Sequence, residues 1–215
     1  VKYSQLNEVE WDKYSVLGFD MDGTLYDEFQ FIEQVYYKIA KYLALFSVNE
    51  ENYIYNWLLE RWKKKGSSYP YIFSEALVEF GINDHEQLKN CLSIFRSFQP
   101  QINLNNKIIN FLDSISLEKE LFLITDGHEF LQRAKFDSLQ LTKWFKAKNV
   151  VFTGSFGSEY YKPNISTLKH IDCLQQFQSP VLYIGDRFID EQFAENANFD
   201  FLHVKKFIDF WGVDL

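Results

Sequence analysis

The chain has 215 residues, 47% of them hydrophobic and 19% aromatic, which supports a sizeable core and excludes long disorder. This is more than one average domain and less than two, so a core domain with an insertion or a small second lobe is expected. The formal net charge of -8 argues against a sequence-independent nucleic-acid binder, and it admits a phosphate ester only through a locally positive site or a metal.

The first residues, VKYSQLNEVEWDKYS, contain no apolar h-region, and the chain opens on Val rather than Met. No signal peptide is visible, and no apolar run approaches the roughly 18 residues of a membrane span. A cytoplasmic protein without a membrane partner is expected. Residues 15–20, SVLGFD, read as a short buried strand. Helical spacing follows over 28–46, where Ile32, Val35, Tyr36, Ile39, Leu43 and Phe46 share a face and Asp27 suits the N-cap. A second helix fits 50–65, capped by Asn49 and stopped by Gly66. A third fits 71–80, ended by Gly81, and a fourth fits 85–98, with Asp84 as cap and Leu88, Cys91, Leu92 and Phe95 inward. Pro100 then breaks the chain.

From there the texture changes to alternation. A helix near 105–115 precedes the strand LFLIT (121–125), followed by a helix near 128–140, the strand NVVF (149–152) and a helix from about 163. The strand VLYI (181–184), a helix near 188–197 and the strand within FDFLHV (199–204) complete the series. Such alternation predicts an α/β fold with a parallel sheet and helices on both faces. One strand precedes four consecutive helices and the others follow. Residues 1–26 and 101–215 are therefore expected to form the core, and residues 27–100 an inserted helical lobe.

Ligands of open parallel sheets bind at the carboxyl ends of the strands, and the polar residues there are few. Asp20 and Asp22 follow the first strand; Thr125, Asp126 and Gly127 follow the second. Lys162 lies in the loop YYKPN, Asp186 follows VLYIG, and Asp190 lies one helical turn later. Taken singly these have ordinary readings, since Asp-x-Asp-Gly and Asp-Gly suit turns and GDRFID suits a helix cap. Together they describe a carboxylate cluster that is costly when dry and unpaired. A Mg²⁺ ion resolves that repulsion, because it takes one or two carboxylates with waters and substrate phosphate. Lysine and threonine supply a cation and a donor for phosphate oxygens, one carboxylate can attack phosphorus, and a second can shuttle the proton.

The four segments, in order, resemble the haloacid dehalogenase superfamily. DMDGTL resembles its first motif, LFLITDG its second, Lys162 before Pro163 its third, and GDRFID its fourth. The run TDGHEFLQRAKFDSLQLTKWF also resembles members with a helical cap. The resemblance implies a Rossmann-like core with an inserted four-helix cap. By position it implies Asp20 as nucleophile and Asp22 as general acid/base. It further implies Mg²⁺ held by Asp20, the Asp22 backbone carbonyl and Asp186 with Asp190 in support, and phosphate held by Thr125, backbone N–H groups near Gly127, and Lys162. Asp126 stands where Asn is more usual, Asn198 where Gly is frequent, and Arg187 where a small residue is common.

Asp22 favours the phosphatase or phosphomutase pattern over dehalogenase members, which lack the second acid. The expected activity is Mg²⁺-dependent hydrolysis of a small phosphorylated metabolite through an aspartyl-phosphate. A sugar phosphomutase sharing that intermediate and a non-catalytic phosphate-binding or signalling module are the alternatives. Lys63, Lys64 and Lys65 in RWKKKG read as a helix C-terminus complementing its dipole. The aromatics Tyr36, Tyr37, Trp57, Trp62 and Tyr69 read as core rather than a stacking platform. Cys91 and Cys173, the two cysteines, read as buried thiols.

Overall fold

The computed structural model describes residues 1–176 and 180–212. Its strands in chain order are β1 (Lys2–Tyr3), β2 (Val16–Phe19), β3 (Glu120–Thr125), β4 (Val150–Phe152), β5 (Val181–Gly185) and β6 (Asp200–His203). Its α-helices are α1 (Phe29–Ala44), α2 (Glu51–Lys65), α3 (Ile72–Glu79), α4 (His85–Arg96), α5 (Asn106–Ile115), α6 (Glu129–Ser138), α7 (Asp172–Gln176), α8 (Phe188–Asn196) and α9 (Phe207–Trp211). The chain divides into two compact units, one of residues 1–28 with 102–215 and the other of residues 29–101.

The first unit is built on a parallel sheet in the order β1-β6-β5-β2-β3-β4. β2 is central because its four residues, VLGF, are all buried and suit a strand covered on both faces. It pairs with β3 through Val16↔Glu120 to Phe19↔Leu123, and with β5 through Val16↔Val181 to Phe19↔Ile184. The chain builds outward from β2 through β3 to β4, then returns to the other side of β2 for β5 and β6. That reversal opens a crevice at the carboxyl ends of β2, β3 and β5, where ligands of such sheets bind.

Gly18 makes the centre of the sheet possible. A Cβ there would lie 2.2 Å from Phe122 Cζ and 2.6 Å from Tyr183 Cδ2, so the two rings occupy the space of the missing side chain. Val16, Phe122, Tyr183, Ile171 and Cys173 join Phe193 and Ala194 in one buried cluster, which seats α7 and α8. Phe19, of opposite parity on β2, packs edge-on against Phe145 at 5.7 Å.

The second unit is helical. α1 buries Phe31, Ile32, Val35, Tyr36, Ile39, Ala40 and Leu43 along one stripe, the spacing of an amphipathic helix. Phe31 meets Phe95 of α4 at 5.3 Å and Tyr36 meets Phe73 of α3 at 5.9 Å. Trp57 packs on Phe80 and Trp62 on Phe29, so most of these aromatics are internal contacts of the unit, while Tyr37 is exposed. The Asp84 carboxylate accepts from Glu86 N at 2.9 Å and caps α4.

Several elements differ from the sequence reading. The N-cap of α2 is Glu50, without a side-chain cap bond, because Asn49 turns back to Ser47 Oγ instead. The helix expected from about 163 is a 3₁₀ turn at Ser166–His170 followed by the short α7. Asn164 Oδ1 accepts from Ser166 N at 2.7 Å, a side-chain turn that competes with helix initiation. Edge strand β1 and helix α9 carry no strong periodic signal and were not expected.

Two outcomes follow from this packing. Gly18→Ala should lower the unfolding free energy by about 1–3 kcal/mol, as overpacking does, measured by urea denaturation. Burial pushes the Cys91 thiol up to about 12 and the Cys173 thiol up to about 11, and only the thiolate is nucleophilic. Both should resist iodoacetamide in the native protein and react after unfolding, as counted by mass spectrometry.

Candidate active site

The loop after β2 begins as an extension of the sheet, with Asp20 N donating to Ile184 O at 2.9 Å. This places the Asp20 side chain at the crevice, where it is buried. Gly23 then turns the loop with φ +75°, and a Cβ there would lie 2.5 Å from Asp186 Oδ2. Glycine therefore serves twice: it adopts the left-handed backbone and lets the loop approach a carboxylate from β5. Gly185 allows a comparable approach, since its Cβ would lie 2.5 Å from Asp190 Cβ.

Lys162 lies at the centre of the cluster. Its Nζ is 2.5 Å from Asp20 Oδ1, 2.5 Å from Asp190 Oδ1 and 3.3 Å from the Tyr183 hydroxyl. Asp190 is fully engaged, because its Oδ2 accepts from Arg187 N at 3.0 Å. The Arg187 guanidinium stands 3.8 Å from Asp20 Oδ1. Burial opposes the charge of Lys162, but Asp190 and Asp20 outweigh it and hold the ammonium well above its ordinary range. Burial, reinforced by Asp190, raises the Asp20 carboxyl against Lys162 and Arg187. Burial and the nearby Asp20 and Asp190 charges push Asp186 up to about 8.

These features fit a hard divalent cation. Carboxylate oxygens of Asp20, Asp186 and Asp190 lie within 4.8 Å of one another. Among the described residues, Asp20 Oδ2 is buried with no hydrogen-bond partner, and the Asp186 carboxylate has only a long contact, 3.4 Å, from Thr24 Oγ1. The available donors are oxygens, the type that magnesium takes. Asp190 differs from Asp20 and Asp186, since its two oxygens already hold Lys162 and the start of α8.

Asp22, half-buried, faces a separate set of donors. Its Oδ1 accepts from Lys135 Nζ at 2.7 Å and from the Tyr26 hydroxyl, and its Oδ2 accepts from Gln132 Nε2 at 2.7 Å. Burial alone would raise this carboxyl, but Lys135, Tyr26 and Gln132 hold it below the ordinary carboxylate range. Gln132 Nε2 also reaches Thr125 Oγ1 at 2.6 Å. Asp126 Oδ1 accepts from Thr153 Oγ1 at 2.9 Å and Lys162 N at 3.2 Å, so this acid ties together the loops after β3 and β4 and the Lys162 backbone. Gly127, with φ +133°, lies over the Gln132 side chain.

The structure thus gathers Asp20, Asp22, Thr125, Asp126, Gly127, Lys162, Asp186 and Asp190 at neighbouring strand ends. Sequence reasoning missed Tyr26, Gln132, Lys135 and Tyr183. The available signal was Gln132 and Lys135, two polar residues three apart on a face of α6 otherwise buried through Leu131, Ala134 and Phe136.

Residues 17–204 match the haloacid dehalogenase-like hydrolases, and the chain belongs to this family. No curated protein matches the chain by sequence. Among solved structures it is similar to magnesium-bound YfnB of Bacillus subtilis, provisionally described as a hydrolase of the same superfamily. That match has 17% identity and a TM-score of 0.65 over 94% of this chain and 98% of that one. It is also similar to a Lactobacillus plantarum protein provisionally named a phosphoglycolate phosphatase, at 22% identity and TM-score 0.60 over 94% and 89% of the two chains. A Thermotoga maritima protein provisionally named a β-phosphoglucomutase gives 18% identity and TM-score 0.61 over 87% and 83%. At these identities the likeness is one of fold. Among the described residues no helix is long and apolar enough to cross a membrane.

A divalent cation at Asp20 and Asp186 should stabilise the protein. Mg²⁺ should raise the thermal midpoint, and Asp186→Asn should remove most of that rise. Below about 8 a proton competes for Asp186, so the apparent Mg²⁺ affinity in this assay should tighten as pH rises toward that value.

Proposed function

We propose that this hydrolase is a Mg²⁺-dependent phosphatase acting on a small phosphorylated metabolite through an aspartyl-phosphate on Asp20. The observation that carries the reading is the state of Asp20. It is a buried carboxylate with one oxygen against Lys162 and the other without a partner, beside a second acid two residues away. A carboxylate held only for structure would have both oxygens satisfied.

The assignment of roles follows from the surroundings. Asp20 attacks phosphorus: an Asp20 oxygen–phosphorus bond forms as the ester oxygen–phosphorus bond breaks. Asp22 supplies, from its protonated form, the proton that the leaving alkoxide takes; Lys135, Tyr26 and Gln132 favour its ionised form, which is the form that accepts a proton in the second step. In the second step Asp22 accepts a proton from water as that water forms the new bond to phosphorus and the Asp20 carboxylate departs. Lys162, Thr125 and the N–H groups near Gly127 bind the phosphoryl oxygens. Asp20, Asp186 and the Asp22 backbone carbonyl would hold Mg²⁺, which when bound would neutralise phosphate charge. With Asp20, Asp186 and Asp190 ionised, a divalent ion would offset their repulsion beside Lys162 and Arg187 and so favour the approach of a phosphate dianion. The helical unit of residues 29–101, inserted between β2 and α5, is read as a cap.

The test is a screen of phosphorylated metabolites for phosphate release, with and without Mg²⁺. Release that persists after exhaustive chelation would remove the metal from the proposal, and return of an isomer without phosphate would identify a phosphomutase instead. Asp22→Asn keeps side-chain volume and the backbone carbonyl but cannot transfer the proton. On an alkyl phosphate its kcat should fall by about 10²–10⁴-fold, the usual contribution of a general acid–base group, with Mg²⁺ affinity near wild type. Phosphorylated Asp20 should accumulate with 4-nitrophenyl phosphate, where departure needs less acid help; mass spectrometry of quenched samples reads it directly.

A further inference from the structure

Gln132 and Lys135 lie on α6, outside every residue given a role above, yet both are buried. A buried ammonium or amide is costly unless partnered. Among their partners are Asp22 and Thr125, which carry proposed roles in proton transfer and phosphate binding. The hydrogen count at Gln132 is informative. A carboxylate can only accept, so the Gln132 amide nitrogen, rather than its oxygen, faces Asp22 Oδ2. That nitrogen has two hydrogens and two acceptors, Asp22 Oδ2 at 2.7 Å and Thr125 Oγ1 at 2.6 Å. Thr125 Oγ1 is therefore an acceptor in this bond, which leaves its own hydrogen to be donated to a further acceptor. Lys135 Nζ, 2.7 Å from Asp22 Oδ1, holds the other oxygen of the same carboxylate.

We propose that Gln132 and Lys135 are positioning residues for phosphoryl transfer: Gln132 presents the Thr125 hydroxyl as a donor to the phosphate, and together they fix the Asp22 carboxylate plane. The inference rests on the acid/base reading of Asp22 given above. It adds α6 to the working parts of the site. A one-turn stretch of this helix then couples the phosphate donor to the proton-transfer group through a single amide. The two residues act differently on the kinetics. Loss of Lys135 frees the Asp22 carboxylate and touches the chemical step, whereas loss of Gln132 also releases the Thr125 hydroxyl and weakens phosphate binding.

The experiment is a double-mutant cycle on the full chain with phenyl phosphate and 4-nitrophenyl phosphate. Lys135→Met should lower kcat on phenyl phosphate by about 10²-fold, the scale of a misplaced catalytic group, with KM near wild type and a smaller loss on the nitrophenyl ester. Gln132→Leu should lower kcat similarly and also raise KM and the inhibition constant of inorganic phosphate. In an Asp22→Asn background the kcat losses from both substitutions should largely vanish, because the group they position is gone. Circular dichroism and thermal melts establish that each variant is folded. If Lys135→Met does not fold, the Gln132→Leu cycle decides alone. Losses that persist at full size in the Asp22→Asn background, or that are equal for the two esters, overturn the inference while leaving the acid/base role intact. A wild-type rate for Asp22→Asn itself overturns that role, and this inference with it.

Discussion

The ammonium of Lys162 lies 2.5 Å from Asp20 Oδ1 and 2.5 Å from Asp190 Oδ1, with all three side chains buried. Buried charges of this kind are tolerable only when paired, and removing one partner strands the others. Asp20 comes from the end of β2, Asp190 from the first turn of α8 after β5, and Lys162 from a loop far from both in sequence. One ion cluster therefore ties three segments together at the mouth of the sheet. The Asp190 Oδ2 bond to Arg187 N passes that constraint to the start of α8, and the Lys162 N bond to Asp126 passes it to the loop after β3.

The sheet makes this concentration of charge possible. Parallel strands place all their carboxyl ends on one side, and the reversal of direction around β2 leaves a crevice there. Two glycines let the backbone close in on the acids: Gly23 beside Asp186 and Gly185 beside Asp190. A third, Gly18, lets Phe122 and Tyr183 meet across β2, and Tyr183 carries the packing upward by setting its hydroxyl against Lys162. Core and site are thus continuous along β5.

The carboxylates divide by what surrounds them. Asp190 and Asp126 have protein donors on the oxygens that face the site and serve to hold other groups in place. Asp20 and Asp186 retain oxygens without close donors, at the point where a cation would relieve the repulsion. Asp22 is turned to donors from α6 and Tyr26, a different set from those around Lys162. Asp126, which on sequence grounds adds negative charge near phosphate, has that charge drawn to Thr153 and the Lys162 backbone.

Local pattern was sufficient for much of the molecule. The uninterrupted apolar runs around β2, β3 and β5 and the helical spacing of α1 to α4 were legible because strand burial and helix amphipathicity impose short periods on the sequence. The residues at the strand ends were legible because acids placed directly behind buried strands have no role in the core. What the sequence left open depends on contacts between distant segments. Glu50 in place of Asn49 at the cap of α2, and the broken helix after Pro163, reflect short polar side chains choosing among nearby partners. Strand β1 is only two residues long, Lys2–Tyr3, and exists through pairing with β6. Gln132 and Lys135 broke the apolar face of α6 in plain view, but only the folded sheet brings Asp22, 110 and 113 positions away in the chain, within hydrogen-bond reach. The identity of the charged groups was written locally; which of them are paired, and which is left with a free oxygen, was decided by tertiary structure because Coulomb and hydrogen-bond energies depend on distances that sequence order does not contain.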